Sequence, residues 1–367
     1  MKFSCNKQLL VEAVTNIQRA VSTKSSIPAL EGIFIQAKES SIELCGYDLE
    51  LGMTTLLEGQ TEEPGKIVLS AKLFGDIVRR LPADTVTISV DGKNMTTIIS
   101  GSSEFSIAGI PAEEYPDLPS IHGDNTVEIP QALLKSMIRQ TIFAVAETDA
   151  KPIHTGTLFE FKNNLLKLIS VDGYRLAIRE EKISNDPDIS FVVPGKTLSE
   201  VLRLLKDDEK NLSLQIGSRH ILFTIDRYTL ISRLLEGEFL DYRSALPKSH
   251  TTEIVVKTRA FVDSVERVSL LITDRMKSPI RCIFEDHEIK MSCSTPMGRA
   301  NDQVEAEIQG TNVEMGFNNR YLLDALRNTE TDEVKVQLNG ALSPMVIVPK
   351  EGNDFLFLVL PVRLKSE

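Results

Sequence analysis

The sequence predicts an α+β protein made of three similar domains, in each of which two helices pack on antiparallel sheets. The first observation behind this prediction is a repeat of about 60 residues, in which a short apolar strand runs into a helix that carries an arginine at a fixed place. The second is that alternating strands joined by turn residues follow each helix. A unit of this size cannot bury its apolar face alone, so successive units are expected to pack against each other.

The repeat is defined by the distance from the end of a strand to an arginine. The strands end at Ser70, Pro130, Pro194, Thr258 and Asn318, and nine positions later stand Arg79, Arg139, Arg203, Arg267 and Arg327. A sixth copy opens the chain, where we expect a strand at residues 2–5 and a helix at residues 6–20. In this copy the ninth-place residue is Thr15, and Arg19 comes one turn later.

The fourth unit indicates which way the arginine points. A strand at residues 191–194 precedes its helix, whose apolar positions follow the i, i+3, i+4, i+7 rule at Leu198, Val201, Leu202 and Leu205. At roughly 100° per residue, Arg203 lies about 150° from this apolar stripe and is predicted to face outward. Strands are then expected at residues 212–216, 221–225 and 229–234, with equivalents in the second unit at residues 85–90, 95–100 and 104–108.

Pairs of units make up the predicted domains. The second and fourth units end in related phrases, Glu-Tyr-Pro-Asp-Leu-Pro at residues 114–119 and Asp-Tyr-Arg-Ser-Ala-Leu-Pro at residues 241–247, and a polar stretch follows each. Proline and polar clusters of this kind are typical of linkers. We therefore expect domains at residues 1–122, 123–250 and 251–367.

The composition is that of a soluble globular protein, with 42% hydrophobic and 25% charged residues in a chain of 367. The sequence has no run of about 18 apolar residues and no signal peptide at its start, so a cytosolic protein is expected. The cysteines, Cys5, Cys45, Cys282 and Cys293, lie in predicted strands without Cys-x-x-Cys spacing, which favours buried free thiols. Cys282 and Cys293 are candidates to face each other, unpaired, across a hairpin.

The net charge of −11 hides an uneven distribution. The six predicted helix stretches are together positive, whereas the rest of the chain is strongly negative. If the helices all face one way, one surface is basic and the remainder acidic, as a guided interaction with a polyanion requires. A lone arginine would indicate only an ordinary solvated helix face. The recurrence of an arginine nine residues after the strand end is what favours a functional role for these residues.

Several phrases in a fixed order carry a resemblance to a known family. They are Met-Lys-Phe at residues 1–3, Gly-Tyr-Asp-Leu-Glu at 46–50, Pro-Ala-Glu-Glu-Tyr-Pro at 111–116, Val-Asp-Gly-Tyr-Arg-Leu at 171–176 and Leu-Pro-Val-Arg-Leu at 360–364. Over essentially its full length the chain resembles the bacterial DNA polymerase III beta subunit, the replication sliding clamp. The resemblance implies the DNA clamp fold and a head-to-tail homodimer that closes into a ring around duplex DNA.

The resemblance also implies the function of a DNA polymerase processivity factor, which slides on DNA without sequence specificity. Such a tether needs diffuse attraction to phosphates, because base-specific contacts would stall it. The candidate DNA-binding residues are Lys24, Lys72, Arg79, Arg80, Lys135, Arg139, Lys196, Arg203 and Arg327. Single-stranded nucleic acid is disfavoured, since the chain has no Trp and only 6% aromatic residues to stack on bases.

By the same resemblance, a hydrophobic pocket between the second and third domains takes short linear peptides from the replicative polymerase, the clamp loader and repair proteins. The matching positions are His154, Thr155, Gly173, Tyr174, Arg175, Leu176, Leu240, Ser244, Ala245, Asn318, Tyr321, Ser343, Met345, Val359, Leu360, Pro361, Val362, Arg363 and Leu364. A groove with aliphatic walls and an arginine at its rim suits a peptide of apolar anchors and a polar head. The chain departs from the family's usual pattern at His154, Leu240 and Ser244 and in a tail at residues 365–367.

Other interpretations remain open for some of these positions. Tyr174 and Arg175 also fit a surface turn after a strand, and residues 355–360 also fit a final core strand, with both uses compatible because strand faces alternate. For the dimer, the resemblance places Phe105 and Ile107 of the first domain against Leu270 and Leu271 in the third domain of the partner. An apolar edge strand needs such a partner, but ordinary core packing is the competing interpretation.

No arrangement of residues predicts an enzyme, a metal site or a cofactor. Gly-Lys-Thr at residues 195–197 imitates the end of a phosphate-binding loop, but Ser190 stands where that motif needs glycine, so a plain helix start is expected. The histidines show no metal-ligand spacing. Asp48 and Asp172 occupy corresponding units, and their turn context favours backbone capping over a catalytic pair. The competing hypotheses are a DNA-encircling clamp, a repeat-built scaffold that does not touch DNA, and an unrecognised hydrolase.

Overall fold

A computed structural model describes residues 1–121, 125–148, 151–184, 188–273 and 278–364. Its contacts divide the chain into two compact units. Unit 1 comprises residues 1–131 and 203–234, and unit 2 comprises residues 132–202 and 235–367. The predicted boundary between residues 122 and 123 and the tail at residues 365–367 lie outside the described residues. The exact domain boundaries stay predictions.

The described residues contain six α-helices, one for each copy of the repeat. They are α1 (Lys7–Ile17), α2 (Ala71–Arg80), α3 (Gln131–Ile142), α4 (Gly195–Leu204), α5 (Thr258–Ser269) and α6 (Asn319–Arg327). The first helix is shorter than predicted, because the chain tightens into a 3-10 turn at Gln18–Ala20. In α4, Leu198 and Val201 are fully buried and Arg203 is exposed, as the apolar stripe predicted. No helix in the described part of the chain is both long and apolar enough to span a membrane.

The strands lie between the helices in the order that the turn signals predicted. They are β1 (Lys2–Asn6), β2 (Gly32–Ala37), β3 (Ser41–Tyr47), β4 (Leu51–Glu63), β5 (Gly65–Ser70), β6 (Thr85–Val90), β7 (Met95–Ser100), β8 (Ser103–Ala108), β9 (Asn125–Pro130), β10 (Gly156–Lys162), β11 (Leu165–Val171), β12 (Arg175–Lys182), β13 (Ile189–Pro194), β14 (Asn211–Ile216), β15 (His220–Ile225), β16 (Tyr228–Arg233), β17 (Thr252–Lys257), β18 (Ile280–Glu285), β19 (Glu288–Thr295), β20 (Gly298–Glu305), β21 (Glu307–Gly310), β22 (Val313–Phe317), β23 (Glu333–Leu338), β24 (Met345–Pro349) and β25 (Phe355–Val359). The predicted strands at residues 85–90 and 95–100 coincide with β6 and β7. The three strands after α4 each begin one residue earlier than predicted.

Unit 1 is built on a 12-stranded antiparallel sheet. Its main path runs β8-β7-β6-β1-β4-β16-β15-β14-β9, and β2, β3 and β5 join it beside β4. β4 is the junction, because its 13 residues pair with β1, β3 and β16. Helix α1 packs on α2 and on β3 and β4. Phe3, Leu10, Ile17 and Phe74 are almost fully buried in this unit.

Unit 2 contains a nine-stranded sheet and a four-stranded sheet, both antiparallel. The first runs β13-β10-β11-β12-β25-β24-β23-β17-β21, and the second runs β20-β19-β18-β22. Helices α5 and α6 pack together, and α5 also lies on β17 to β20. The core contains Phe261, Phe284, Phe317 and Phe357, all completely buried. The pairing of β12 with β25 joins the strands that precede α4 to the last strand of the chain.

All four cysteines are buried free thiols, as predicted. Burial raises the pKa of Cys5, Cys45 and Cys282 to about 12, which disfavours the reactive thiolate. Across the β18–β19 hairpin, however, Cys282 pairs with Met291, which leaves Cys293 two residues further along its strand. The expectation that Cys282 and Cys293 face each other directly was therefore wrong, because the register of the hairpin is offset by two residues.

Two aspartate-capped turns occupy the same place in different repeats. Asp48 Oδ1 accepts hydrogen bonds from the backbone N–H groups two and three residues ahead, at 3.0 and 2.7 Å, and Asp172 Oδ1 does the same at 3.0 and 3.1 Å. The prediction that both aspartates cap backbone is confirmed. In each turn the residue after the aspartate is left-handed, with φ of +77° at Leu49 and +85° at Gly173.

Replacement of Leu49 by glycine is expected to stabilise the protein. A leucine in the left-handed region is strained by roughly 1–2 kcal/mol, which exceeds the cost of roughly 0.5–1 kcal/mol for the extra freedom of glycine in the unfolded chain. The Leu49 side chain is half exposed, so little apolar burial is lost. Urea denaturation of L49G should therefore show a free energy of unfolding that is higher by about 0.5–1 kcal/mol.

The matched control is L56G, which removes an equally exposed leucine from the middle of β4, where the backbone is extended. This control should lower the free energy of unfolding, because glycine weakens a strand interior. A decrease of similar size in both variants would contradict the strain at Leu49.

Candidate functional site

The repeated arginines share one place in their helices. Arg79, Arg139, Arg203, Arg267 and Arg327 all lie in the last turn of their helices and are all exposed. Arg19 is exposed in the 3-10 turn that follows α1. A cation in the last turn also offsets the partial negative charge of the helix C-terminus. The predicted outward orientation is confirmed, and the position also favours helix stability.

Most of these arginines are paired with a carboxylate. Asp76 binds both Arg79, at 2.9 Å, and Arg80, at 3.4 Å. The other pairs are Arg139 with Glu330 at 3.3 Å, Arg267 with Asp302, and Arg327 with Glu266 at 2.7 Å. Hydrogen bonds from the arginines lower the pKa of Asp76, Asp302 and Glu266, which keeps these carboxylates ionised. Neighbouring carboxylates therefore partly neutralise the charge of these arginines. The sequence did not predict this pairing.

In both units, an arginine in the last turn of one helix bonds a polar side chain that lies in or just after the last turn of the preceding helix. In unit 1, Arg79 Nη1 donates to Gln18 Oε1 at 3.1 Å. In unit 2, Arg327 Nη2 donates to Glu266 Oε1 at 2.7 Å. The partners are 61 residues apart in both cases, so the repeat extends to individual hydrogen bonds.

The predicted DNA-binding lysines differ from the arginines. Lys24, Lys72 and Lys196 are exposed and Lys135 is half-buried. Within the described ranges, no carboxylate pairs with Lys24 or Lys72. Lys72 also lies in the first turn of α2, where the helix dipole opposes a cation. Helix stability therefore does not account for Lys72.

A second set of cations lies at the starts of the helices, and the sequence analysis identified only two of its four members. The second residues of α2, α4, α5 and α6 are Lys72, Lys196, Arg259 and Arg320. None of the six described helices carries an acidic residue in its first turn, although the dipole would favour one there. The signal was available in the sequence, because each of these cations follows the end of its strand at a nearly constant distance.

The predicted pocket residues all lie in unit 2 and fall into three groups by exposure. Gly173, Tyr174, Leu240, Ser244, Ala245, Leu360, Val362 and Arg363 are exposed, Thr155, Asn318, Tyr321, Ser343, Pro361 and Leu364 are half-buried, and His154, Arg175, Leu176, Met345 and Val359 are buried. A peptide that approaches this surface therefore meets the first two groups. The buried group lies underneath and supports them.

The last strand belongs to the core of unit 2. Val359 of β25 pairs with Met345 of β24, and both are completely buried. On the opposite face of β25, Leu358 packs with Leu176. The core-strand interpretation of residues 355–360 thus holds for Phe355–Val359, and the accessible surface begins at Leu360.

Arg175 is buried, with 6% of its side chain exposed, whereas Arg363, the other arginine among the predicted pocket positions, is exposed. Arg175 Nε donates to Asp172 Oδ2 at 2.8 Å, and its Nη1 donates to Asp324 Oδ2. The guanidinium carbon lies 4.6 Å from the ring centroid of Tyr321 and 5.7 Å from that of Phe143. Two carboxylates and two aromatic rings thus surround a charge that would be costly to bury alone.

Tyr174 forms an exposed plate beside this cluster. It is 60% exposed, and its ring stacks on that of Tyr321 with centroids 5.9 Å apart and planes at 22°. The N–H of Leu360 donates to the Tyr174 carbonyl at 2.9 Å and so extends the β12–β25 pairing. Tyr174 does lie in a surface turn, and the Asp172 cap and this bond fix the backbone of that turn.

The chain after β25 is held against β22. The N–H of Val362 donates to the Gly316 carbonyl at 2.8 Å, and a side chain at Gly316 would meet the Val362 carbonyl oxygen at 2.6 Å. The exposed Val362, with Asn318 and Tyr321, lines an open cavity of about 540 Å³. Asn318 also caps α6, since its Oδ1 accepts the N–H of Arg320 at 2.9 Å.

His154 lies under the other predicted wall. Its imidazole packs edge-on against the ring of Phe239, with centroids 5.8 Å apart and planes at 73°. The next residue after Phe239 is Leu240, which is exposed. His154 is therefore a packing residue rather than an accessible polar contact.

Ser244 and Ala245 lie on a short 3-10 turn that Glu160 of β10 anchors. Tyr242 Oη donates to Glu160 at 3.0 Å, and Arg243 Nη2 bonds both carboxylate oxygens at 2.7 and 2.8 Å. Burial alone would raise the pKa of Glu160, but the bonds from Arg243 and Tyr242 outweigh it and hold the pKa below its usual value. No pattern in the sequence predicted this anchor.

The predicted dimer residues lie on an edge strand in unit 1 and directly after a helix in unit 2. Phe105 and Ile107 are on β8, the edge strand of the unit 1 sheet, and share a face with the fully buried Ile98. Phe105 is nevertheless exposed. In unit 2, Leu270 directly follows α5 and is highly exposed, whereas Leu271 is half-buried. Core packing within the described residues does not account for Phe105 or Leu270.

Known protein families match the chain along its whole length. The N-terminal, central and C-terminal domain models of the DNA polymerase III beta subunit match residues 1–119, 128–241 and 243–363 in turn. The chain belongs to the DNA polymerase III beta subunit family. Three clamp domains, as predicted, are therefore present.

Individual members of the family agree in sequence and in structure. The beta sliding clamp of Bacillus subtilis is 35% identical over 376 residues, which cover 99% of this chain and 100% of the relative. The crystal structure of the Bacillus subtilis sliding clamp superposes with a TM-score of 0.95 at 34% identity and covers all of both chains. A Pseudomonas aeruginosa sliding clamp bound to griselimycin superposes at 0.93 with 27% identity and covers 99% of this chain and 100% of that one.

In the part of the chain that the structure describes, no group of histidine, cysteine and carboxylate side chains is arranged to hold a metal ion. Asp48 and Asp172 both accept hydrogen bonds from backbone N–H groups. The surface features of this beta subunit are exposed cations on helices, the exposed ring of Tyr174 near a cavity, the apolar edge strand β8 and the exposed Leu270.

Replacement of Glu160 by glutamine tests the anchor of the 3-10 turn. At neutral pH, E160Q should lower the free energy of unfolding by about 1–2 kcal/mol, since a charge-assisted bond becomes a neutral one. A carboxyl group with a depressed pKa stabilises the fold above its unfolded pKa, and this stabilisation is lost as the pH falls through the folded pKa. The difference between wild type and E160Q should therefore shrink as urea denaturation is repeated at decreasing pH.

The matched control is E314Q, which neutralises a carboxylate in the exposed Arg281–Glu314 pair of the same unit. Exposed pairs contribute little, so this variant should unfold almost like wild type. A stability difference for E160Q that stays constant with pH would contradict the role given to its charge.

Proposed function

We propose that the chain is a DNA polymerase processivity factor that encircles duplex DNA as a homodimeric ring, slides without sequence specificity and tethers the replicative polymerase. The DNA polymerase III beta subunit family, to which the chain belongs, consists of processivity factors and not of enzymes. The observation that carries the proposal is the exposed arginine in the last turn of five successive helices. This array has the diffuse positive charge that sliding requires.

The pairing of these arginines explains how the surface attracts DNA without gripping it. An exposed ion pair contributes little to stability, so a phosphate can replace the carboxylate at small cost. The carboxylate can also return when the phosphate moves away. Lys24 and Lys72, which have no such competitor in the described residues, supply a constant attraction. We assign DNA contact to all of the predicted DNA-binding residues. We also assign it to Arg259 and Arg320, the two further cations at helix starts.

We assign peptide binding to the exposed surface around Tyr174, Leu240, Leu360 and Val362. Its support is the combination of an aromatic plate with a cavity lined by Asn318, Tyr321 and Val362. Rigid backbone lies under both, because Asp172 caps the turn and β12 pairs with β25. Such a preformed surface suits a short segment with apolar anchors. The partners proposed for it are the polymerase, the clamp loader and repair proteins.

We assign dimerisation to the edge at Phe105 and Ile107 and to the surface at Leu270 and Leu271. A head-to-tail contact buries two different patches, and it produces a closed ring when the rotation between copies closes. An exposed apolar edge strand is otherwise a site of aggregation, which gives the contact a physical reason.

The proposed location is the cytoplasm. A scaffold that does not touch DNA would need none of the unpaired cations, and a hydrolase would need a catalytic group that Asp48 and Asp172 do not provide.

Removal of both unpaired lysines is expected to weaken the attraction to DNA and its dependence on salt. Each lost phosphate contact reduces the slope of log affinity against log salt by about 0.9, so K24A/K72A should reduce it by up to about 1.8. The measurement is anisotropy of a labelled duplex oligonucleotide over a range of salt concentrations. The control is K38A, since Lys38 is already paired with Glu43 at 2.7 Å. An unchanged slope in K24A/K72A would refute the assignment of these lysines.

Introduction of a charge at the edge strand should open the ring. F105D places a carboxylate in the proposed apolar contact, so the solution mass should fall from about twice 40.8 kDa to that of one chain. Wild type loaded on circular DNA should stay bound and should be lost when the DNA is linearised, whereas F105D should be lost from both. The control is M95D, on the neighbouring β7 with its side chain on the other face. A monomeric wild type, or a wild type that is indifferent to linearisation, would overturn the ring.

A further inference from the structure

Glu330, in the turn between α6 and β23, has a backbone conformation that its side chain disfavours. Its φ of +56° lies in the left-handed region, where glycine or asparagine is the usual residue. The turn is held in place, since the buried Gln140 donates from Nε2 to the Thr329 carbonyl at 3.0 Å. Strain of this kind persists only where neighbouring contacts enforce it, and it often marks a functional position. What Glu330 offers and glycine does not is a carboxylate.

The carboxylate of Glu330 reaches across to α3. Ser136 Oγ donates to its Oε2 at 2.9 Å, and Arg139 Nη1 lies 3.3 Å from its Oε1. Ser136 and Arg139 are three residues apart, so they lie on one face of the helix. Arg139 is one of the predicted DNA-binding residues, and 53% of its side chain is exposed. The pair is therefore open to a phosphate that would replace the carboxylate.

The repeat shows that Glu330 supplies an acid that α3 lacks. In α2 the sixth residue, Asp76, pairs with Arg79 three positions later at 2.9 Å. The sixth residue of α3 is Ser136, and Glu330 binds this serine while it pairs with Arg139. In the five other described helices the sixth residue is acidic, namely Glu12, Asp76, Glu200, Asp263 and Asp324. A carboxylate from a later repeat thus stands where the helix itself has none.

Two more of the repeated arginines obtain a carboxylate by yet other routes. Arg267 pairs with Asp302 of β20, and Arg327 pairs with Glu266 of the preceding helix. Arg79, Arg139, Arg267 and Arg327 therefore take their acids from four different places in the fold. A pairing that followed only from the repeat would use the same source each time. The element that these four sites share is the pair itself, which favours a function for it.

We propose that Glu330 is a positioning residue for DNA contact, a carboxylate that occupies Arg139 between phosphate contacts and so sets how fast the protein slides. An arginine without a competing acid would hold each phosphate longer, and a step along the duplex requires that contact to break. With Glu330 in place, the guanidinium exchanges one anion for another, and exposed ion pairs are weak enough to exchange readily. This proposal rests on the DNA-binding function proposed above and adds the residue that regulates one of its contacts.

The test compares two variants that both remove the carboxylate but differ in their effect on the backbone. E330Q keeps a side chain that can accept from Ser136 and keeps the left-handed strain, whereas E330G removes both. Both should bind a labelled duplex oligonucleotide about two- to fivefold more tightly at low salt, and the slope of log affinity against log salt should steepen by up to about 0.9. E330G should unfold at a higher urea concentration than E330Q, so an equal gain in affinity assigns the effect to the carboxylate.

Sliding itself is measured by tracking labelled protein that has been loaded on stretched duplex DNA. The one-dimensional diffusion coefficient of E330Q should be about two- to fivefold lower than that of wild type. The matched control is E333Q, because Glu333 is as exposed as Glu330 but pairs with Lys350 at 2.7 Å instead of a helix arginine. E333Q removes the same charge and should match wild type in both measurements. R139A/E330Q should behave like R139A, since Glu330 acts through Arg139.

The outcomes distinguish this proposal from the function on which it rests. A wild-type protein without salt-dependent binding to the duplex would refute the DNA-binding function and the role of Glu330 with it. If wild type binds with the expected salt dependence while E330Q and E330G match it in slope and E330Q matches it in diffusion, the DNA-binding function stands and the role of Glu330 is overturned. An equal effect in E333Q, a difference between R139A/E330Q and R139A, or tighter binding in only one of the two Glu330 variants would also overturn it.

Discussion

Both units depend on one backbone arrangement, in which a strand that leaves an aspartate-capped turn pairs with a strand from a later repeat. In unit 1 this pairing joins β4 to β16, and in unit 2 it joins β12 to β25. The first bond beyond each pairing is the same, since the N–H groups of Arg233 and Leu360 donate to the carbonyls of Glu50 and Tyr174 at 2.9 Å. These are backbone bonds, so they place few demands on the neighbouring side chains. The surface residues around these two strand pairings were therefore free to diverge.

The helices obey a different constraint, which is electrostatic. Stability alone would favour acids in the first turn and cations in the last. Five of the six described helices follow the second half of that rule and none follows the first, since no first turn contains an acid and cations occupy the second position of four helices. The carboxylates are instead placed beside the arginines, where they moderate the charge. A surface with this composition suits phosphates that must be attracted and then released.

The sequence predicted what depends on local periodicity and missed what depends on distant side chains. The helix repeat, the strands after α4 to within one residue, and the caps at Asp48 and Asp172 all follow from spacing and turn chemistry. The burial of Arg175 could not be predicted, because its partner Asp324 is 149 residues away and no spacing rule relates them. The offset of Cys282 from Cys293 was missed for a related reason: two strands and a turn do not define the register until the turn geometry is known.

The two aspartate-capped turns differ in one residue, and this difference explains why, among the described residues, only the turn before β12 carries an exposed aromatic ring. Three residues after the capping aspartate, unit 1 has Leu51, which is buried and needs no polar partner. Unit 2 has Arg175 at the same place, and a buried cation is tolerated only with charged and aromatic partners. Asp324 and Tyr321 of α6 meet that need, and Tyr321 in turn supports Tyr174, whereas the equivalent residue in unit 1 is the exposed Glu50. A single difference in residue type at one repeated position thus accounts for the recruitment of α6 and for the surface above it.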